Sequence, residues 1–66
     1  MIIVNDRDKI KWKKNMTVSD VLHHMGYEFT MITVTVNGKL VSEEDYSTTR
    51  VPDNADVNIF HLAHGG

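Results

Sequence analysis

Two different spacings of hydrophobic residues run along this chain, and each predicts its own kind of element. Residues 2–4 are a short β-branched run that predicts a first strand, and residues 5–8 have turn-forming side chains. Strict alternation over residues 9–13 then predicts a second strand, with Ile10 and Trp12 on the buried face and lysines on the solvent-exposed face. The two segments together predict an N-terminal hairpin.

A helical spacing starts after Thr17. Thr17 is a suitable N-cap, and Asp20 stands three residues later, where it can complete a capping box. Gly26 is placed to take the left-handed conformation just past the helix end. The spacing predicts a helix over residues 18–25, whose buried face consists of Val18, Val21, Leu22 and Met25.

The second half of the chain contains the strongest strand signal. Residues 32–36 alternate and are rich in β-branched side chains, and Asn37-Gly38 predicts a tight turn because both residues tolerate positive φ. Leu40-Val41 is expected to form a short return strand. The remaining predicted elements are one capped helical turn over residues 42–46, a turn over residues 52–56 and a final strand over residues 57–62.

The order of these elements predicts the fold class. A hairpin, one helix and a later run of strands indicate an α+β domain in which the helix covers one face of a mixed sheet of four to five strands. The connection through the helix allows a later strand to lie parallel to the first. The expected core comprises Ile2, Val4, Ile10, Trp12, Val18, Val21, Leu22, Met25, Val34, Val36, Leu40, Val57 and Ile59.

Length and composition limit the functions that are open to the chain. Its 66 residues form one small domain, with room for a modest core and no deep substrate cavity. It has no cysteine, which excludes a disulfide framework, a thiol nucleophile and a cysteine-bound metal. No apolar run is long enough to span a membrane, and the start of the sequence lacks the features of a signal peptide. We therefore expect a cytoplasmic location and no membrane partner.

Charge is unevenly distributed along the chain. The formal net charge of −2 predicts no general attraction to nucleic acid, yet five of the seven basic residues lie within residues 7–14. Trp12, the aromatic residue of this stretch, is expected to face inward, so the exposed stacking platform that binds single-stranded nucleic acid is missing. A solvated edge, or a docking patch for an acidic partner, is the favoured interpretation.

The residues show no pattern typical of a catalytic site. There is no nucleophile elbow and no Gly-rich phosphate loop. Asp20 and His24 can share one helix face, but two ligands do not make a metal site, so we expect none. The side chains that titrate near neutral pH are His23, His24, His61 and His64.

The sequence ends in Gly65-Gly66, two residues after the last predicted strand. Glycine has no Cβ, so such a segment can enter a narrow channel and its carboxylate is sterically open. An open carboxylate can be activated as an acyl adenylate by another enzyme and then attacked by a nucleophile. The alternative interpretation is a frayed end without a role.

Four landmarks carry a resemblance to a known family over the whole chain. They are the first strand ending at Val4-Asn5, the helix start over residues 17–22, the strand and turn over residues 34–38, and Gly65-Gly66 after a last strand led by Asp56. In this order and spacing, the sequence resembles the ubiquitin-like sulfur carriers of the ThiS and MoaD type. Its length favours the type that serves thiamine biosynthesis.

The resemblance implies a β-grasp domain over residues 1–62, a flexible Gly-Gly tail over residues 63–66, and a carrier role rather than an enzyme activity. In this family an E1-like adenylyltransferase uses ATP to adenylate the terminal glycine, which is Gly66 here, and Gly65 gives access to it. A sulfur donor such as a cysteine desulfurase then converts the carboxyl to a thiocarboxylate. Thiazole synthase or another acceptor enzyme receives the sulfur. The carrier itself needs no cofactor, and we expect it to be a monomer alone.

The resemblance also implies that the sheet face near the tail docks the activating enzyme. Alternation along the last strand turns Val57 and Ile59 toward the core and Phe60 and Leu62 outward. We therefore predict that Phe60, Leu62 and His64 form the docking site.

Other functions stay open at this point. Residues 42–46 differ from the Pro, basic residue and Trp that thiamine carriers often have there, and Ala63-His64 is more polar than the usual approach to the glycines. The alternatives are a carrier for molybdopterin or another sulfur route, a ubiquitin-like protein modifier, and a plain β-grasp binding module with an inert tail.

Overall fold

Residues 1–62 of the chain are described by a computed structural model, and within them five strands and one α-helix form. The predicted tail, residues 63–66, lies outside the described residues. No helix of the described part combines the length and the apolar character of a membrane span. In chain order, the elements are β1 (Ile2–Val4), β2 (Asp8–Ile10), α1 (Val18–Met25), β3 (Ile32–Val36), β4 (Lys39–Val41), a 3-10 turn (Glu43–Asp45) and β5 (Asp56–His61).

The five strands form one mixed sheet in the order β2-β1-β5-β3-β4. β1 and β5 run parallel, with Ile3 opposite Asp56, whereas the other neighbouring pairs are antiparallel. The long connection that contains α1 and the β3–β4 hairpin makes this parallel pairing possible. A mixed sheet with one helix on one face is the predicted β-grasp arrangement.

α1 begins and ends where the sequence predicts. The Thr17 Oγ1 accepts a hydrogen bond from the Asp20 backbone N–H at 3.3 Å, and the Asp20 Oδ2 accepts one from the Thr17 N–H at 2.9 Å. These reciprocal bonds are the predicted capping box, which satisfies two N–H groups that the helix cannot pair internally. Gly26 then takes a φ of +75°, a conformation that favours glycine, and ends the helix.

One hydrophobic cluster joins the buried face of α1 to the inner face of the sheet. Most of the predicted core lies in it, but Trp12 and Met25 are half-buried at its margin, and Leu40 lies outside it. The buried residues are Ile2, Val4, Ile10, Met16, Val18, Val21, Leu22, Ile32, Val34, Val36, Val41, Tyr46, Val51, Ala55, Val57 and Ile59.

The prediction that Leu40 belongs to the core is wrong. Leu40 is 71% exposed, and its neighbour Val41 is buried instead. The register explains this, because β4 places Val41 opposite the buried Val34 and Leu40 opposite Thr35. Directly opposed residues share one face of a sheet, so Leu40 follows Thr35 to the outer face.

The second predicted strand is too long. β2 stops at Ile10, and Trp12 lies beyond the strand ladder. The indole N–H of Trp12 donates a hydrogen bond of 2.7 Å to the carbonyl oxygen of Val51. Trp12 therefore still packs against the core, but a side-chain hydrogen bond rather than strand pairing holds it there.

Two shorter elements also differ from their predictions. The helical turn near residue 43 forms as a 3-10 turn, but the Ser42 side chain makes no capping hydrogen bond. Tyr46, which follows this turn, is buried, and burial together with the Glu43 carboxylate raises the pKa of its phenol. β5 begins and ends one residue earlier than predicted.

The same substitution, leucine to alanine, at a buried and at an exposed position tests whether Leu40 lies on the outer face of the sheet. We expect Leu22→Ala to lower the free energy of unfolding by about 2–5 kcal/mol, because it leaves a cavity at a fully buried position. Leu40→Ala should change it by no more than about 0.5 kcal/mol. Urea unfolding followed by circular dichroism measures both values. A loss at Leu40 equal to that at Leu22 would contradict the register of β4.

Candidate functional site

The outer face at the end of β5 carries two of the predicted docking residues. Val57 and Ile59 are buried, whereas Phe60 and Leu62 keep 56% and 48% of their surface exposed. Alternation along the strand predicted this division of faces correctly. The docking role itself stays a prediction at this stage.

Backbone pairing holds the chain as far as its last described residue. β5 pairs with β3 up to His61, which lies opposite Ile32. The Leu62 N–H then donates a hydrogen bond of 2.8 Å to the Met31 carbonyl oxygen, one step beyond the ladder. Met31 has a φ of +59°, so the chain turns sharply before β3 and brings this carbonyl to Leu62. Phe60 and Leu62 are therefore presented by a fixed backbone.

Phe60 belongs to a wider apolar area on the outer face. Leu40 is 71% exposed there, and Ile3 is 39% exposed. Phe60 lies opposite Thr33, and Leu40 lies opposite Thr35 of the same strand. Because β3 lies between β5 and β4, Phe60 and Leu40 are two strand spacings and two residues apart, about 12 Å between Cα atoms, with the two threonines between them. Leu40 is thus a candidate contact residue that the sequence prediction missed, since it assigned Leu40 to the core.

A shallow groove of about 480 Å³ lies beside the end of β5. Tyr27, Met31, His61 and Leu62 are among the residues that line it. The His61 ring packs edge-to-face against Tyr27, with the ring centroids 5.0 Å apart. This contact ties the end of β5 to the segment that follows α1 and gives the groove an aromatic wall.

Two titratable side chains of α1, Asp20 and His23, are engaged in local contacts. Within residues 1–62, no three His, Asp or Glu side chains lie close enough together to hold a metal ion. The Asp20 carboxylate accepts hydrogen bonds from the Thr17 N–H and hydroxyl, so it is occupied by the helix cap. His23 packs edge-to-face on Phe29, with ring centroids 6.2 Å apart.

Three of the predicted site residues lie outside the described part of the chain. His64, Gly65 and Gly66 belong to residues 63–66, which follow directly after Leu62. The structure therefore locates the point from which they continue: the central strand of the sheet, beside the outer-face residues Phe60 and Leu62.

Comparison with known proteins identifies relatives of the whole chain. The family model described as the ThiS family matches residues 2–66. A crystal structure of the thiamine biosynthesis protein ThiS from Geobacter metallireducens has a TM-score of 0.78 and 22% sequence identity, over 98% of this chain and 97% of that one. A solution NMR structure of a thiamine biosynthesis protein from the same organism has a TM-score of 0.75 and 22% identity, over 98% and 86%. At this identity, the structural likeness shows a shared fold.

Substitutions at two neighbouring residues of β5 test which of them faces the core and which faces solvent. Phe60→Asp should leave the fold intact, because the new carboxylate stays in water on the outer face. Ile59→Asp should unfold the domain, because it places a carboxylate at a position that is only 4% exposed. Circular dichroism and the dispersion of amide NMR signals measure both results. Folded Ile59→Asp together with unfolded Phe60→Asp would mean that the faces are reversed.

Proposed function

Because this chain belongs to the ThiS family of sulfur carriers, we propose that it carries sulfur for the thiazole ring in thiamine biosynthesis, as a thiocarboxylate on Gly66. The observation that supports this most directly is the extent of the family match, which includes Gly65 and Gly66. The thiamine-biosynthesis names of the two structures with the same fold support the same pathway.

The proposed chemistry takes place at the carboxylate of Gly66. An E1-like adenylyltransferase brings ATP, the carboxylate attacks its α-phosphorus, and pyrophosphate leaves, which gives an acyl adenylate. Sulfide then attacks the acyl carbon and AMP leaves, so that sulfur replaces one carboxyl oxygen. Where the donor is a cysteine persulfide, its attack gives an acyl disulfide, and a second thiol cleaves the S–S bond, which releases the thiocarboxylate and leaves a disulfide between the two thiols. Gly65 and Gly66 have no Cβ, which lets the backbone of a partner enzyme approach the reacting carbon closely. The chain is the substrate of these steps, not their catalyst.

The partners in this proposal act one after another on the same terminus. The adenylyltransferase activates it, a donor such as a cysteine desulfurase supplies sulfur, and thiazole synthase accepts the sulfur. The chain binds no cofactor of its own in these steps, because ATP is bound by the activating partner. We propose that these steps take place in the cytoplasm.

The outer face at the end of β5 is the proposed docking surface for the activating enzyme. Phe60 and Leu62 supply its apolar centre, and Leu40 adds a separate apolar contact about 12 Å from Phe60, beyond the threonines of β3. His64 is the third docking residue that the sequence predicts. Docking at this face leads the following four residues toward the partner's active site.

Intact mass spectrometry tests the carrier chemistry. After incubation with the E1-like enzyme of its own host, ATP and sulfide, the protein should gain the mass of one oxygen-to-sulfur exchange, and fragmentation should locate it at Gly66. The matched control lacks Gly66. It should keep the same circular dichroism spectrum and gain no mass, because the reacting carboxyl is then on Gly65.

Each other outcome of this experiment identifies a different function. Absence of both the adenylate and the mass gain would overturn the proposal in favour of a binding module with an inert tail. A stable adenylate that ends in higher-mass conjugates on lysine side chains, and never in a thiocarboxylate, would indicate a protein modifier.

A change at the outer face tests the docking surface. Phe60→Asp should raise the carrier concentration that half-saturates the adenylyltransferase by about fivefold or more, since truncation of a central aromatic anchor costs more than about 1 kcal/mol. The maximal rate should change little, because the tail is intact. Thr48→Asp, which adds the same charge at an exposed position outside the sheet, is the control and should behave as the unaltered protein. Equal effects of both changes would contradict docking at Phe60.

A further inference from the structure

The connection between β2 and α1 contains three exposed lysines, Lys11, Lys13 and Lys14, and we call residues 11–15 the lysine loop. Its position follows from the pairing of the strands. β2 runs antiparallel to β1, so the chain leaves Ile10 beside Ile2. This is the end of the sheet where β5 starts. The lysine loop therefore lies at the end opposite to Phe60 and Leu62.

The lysine loop is fixed by contacts on both of its sides. The Trp12 indole donates its 2.7 Å hydrogen bond to the Val51 carbonyl, so Trp12 is drawn inward between two outward lysines. Met16 is buried, its N–H bonds to the Lys13 carbonyl at 3.0 Å, and its own carbonyl accepts from the Val51 N–H at 2.8 Å. Because these contacts hold the backbone of the loop, the backbone loses little conformational entropy when a ligand binds.

The charge of the lysine loop is not neutralised by the described residues. The ion pairs within residues 1–62 join the N-terminal ammonium to Asp53, at 2.7 Å, and Arg7 to Asp8, at 3.7 Å. The hydrogen bond from that ammonium lowers the pKa of Asp53, so this carboxylate is engaged at the N-terminus. The Asp20 carboxylate is engaged in the capping box.

The three lysines line one groove together with a face of the helix. The groove has a volume of about 350 Å³, and Asn15, Asp20 and His24 complete its walls. Asp20 and His24 stand one turn apart on α1, so the helix forms one wall and the lysine loop forms the other. The groove thus offers three ammonium groups, an amide and an imidazole to a ligand that enters from solvent, and its one carboxylate, Asp20, already accepts two hydrogen bonds from Thr17.

We propose that this groove binds an acidic segment of a partner protein, through its aspartate and glutamate side chains. Charge complementarity supports this occupant, because the lysines are held close together without counter-ions from the described residues. Nucleic acid is disfavoured, since Trp12 is half-buried and hydrogen-bonded and offers no free face for stacking. The inference is independent of the chemistry at Gly66.

Titration with a hexaglutamate peptide, followed by amide NMR signals of the full chain, tests the groove. The signals of residues 11–15 and of His24 should shift, whereas those of Phe60 and Leu62 should not. A rise from 20 to 300 mM salt should weaken the binding severalfold, because exposed charge pairs are screened. The triple variant Lys11→Gln, Lys13→Gln, Lys14→Gln should bind about tenfold more weakly, at about 0.5 kcal/mol per exposed pair.

Lys39→Gln is the matched control for the single change Lys13→Gln. Lys39 is an exposed lysine on β4, at the other edge of the sheet, four strand spacings or about 19 Å from β2. Lys13→Gln should weaken the peptide about twofold, and Lys39→Gln should leave its affinity unchanged. Both variants should keep the fold, since both side chains are exposed.

Three results would overturn the proposal. The first is that hexaglutamate shifts no signal of the lysine loop at low salt. The second is that inorganic phosphate at the same charge concentration causes shifts as large, which would mean a nonspecific anion site only. The third is that a hexauridylate binds more tightly than hexaglutamate, which would assign the groove to nucleic acid. Because all three are measured without an activating enzyme, their outcome is separate from that of the sulfur-carrier test.

Discussion

The parallel pairing of β5 with β1 is the interaction on which the rest of the structure depends. Two asparagines in adjoining turns bond to the backbone of β5, Asn5 on the β1 side and Asn37 on the β3 side. The Asn5 side chain accepts a 2.7 Å hydrogen bond from the Ile59 N–H, and its own N–H bonds to the Val57 carbonyl at 2.8 Å. On the other side of the strand, Asn37 exchanges two bonds of 2.8 Å with the backbone of Asp56. Both asparagines have positive φ, which asparagine tolerates, so each one makes a turn and also extends the ladder of the central strand.

A strand that is paired on both sides can divide its side chains between two tasks without conflict. The inner residues of β5, Val57 and Ile59, complete the core, and the outer residue Phe60 stays available for contact. Since successive side chains point to opposite faces, a change on the outer face need not disturb the packing beneath it. Stability and surface chemistry can therefore vary independently along this strand, and the residues beyond Leu62 follow an end of β5 whose strand partner is β3.

Local chemistry made the helix, β3 and the faces of β5 predictable, because caps, turns and alternation act within a few residues. The error at Leu40 came from treating Leu40-Val41 as a generic hydrophobic pair. A two-residue Asn37-Gly38 turn pairs residue 36 with residue 39 and hence Thr35 with Leu40, so the outward position of Leu40 was deducible from the sequence.

The burial of Tyr46, Val51 and Ala55 was not deducible from the sequence, since these residues lie in irregular segments whose packing depends on long-range contacts. For the site, alternation found Phe60 and Leu62, whereas the Lys13-containing groove depends on the Trp12 bond, which no local pattern indicates.

The lysine loop and the outer face at the end of β5 act on a partner over different distances, and they lie at opposite ends of the sheet. Exposed charges influence a partner over about 8 Å at physiological ionic strength, whereas an apolar side chain such as Phe60 contributes only on contact. β5 has six residues, so its two ends are roughly 17–20 Å apart, which exceeds the screening length. An acidic partner held at the lysine loop would therefore neither cover Phe60 nor change the potential around it. One hydrophobic cluster joins these two ends, so on the two proposals made above the chain would be bound at its basic end while the end that leads to Gly66 stayed available to a second protein.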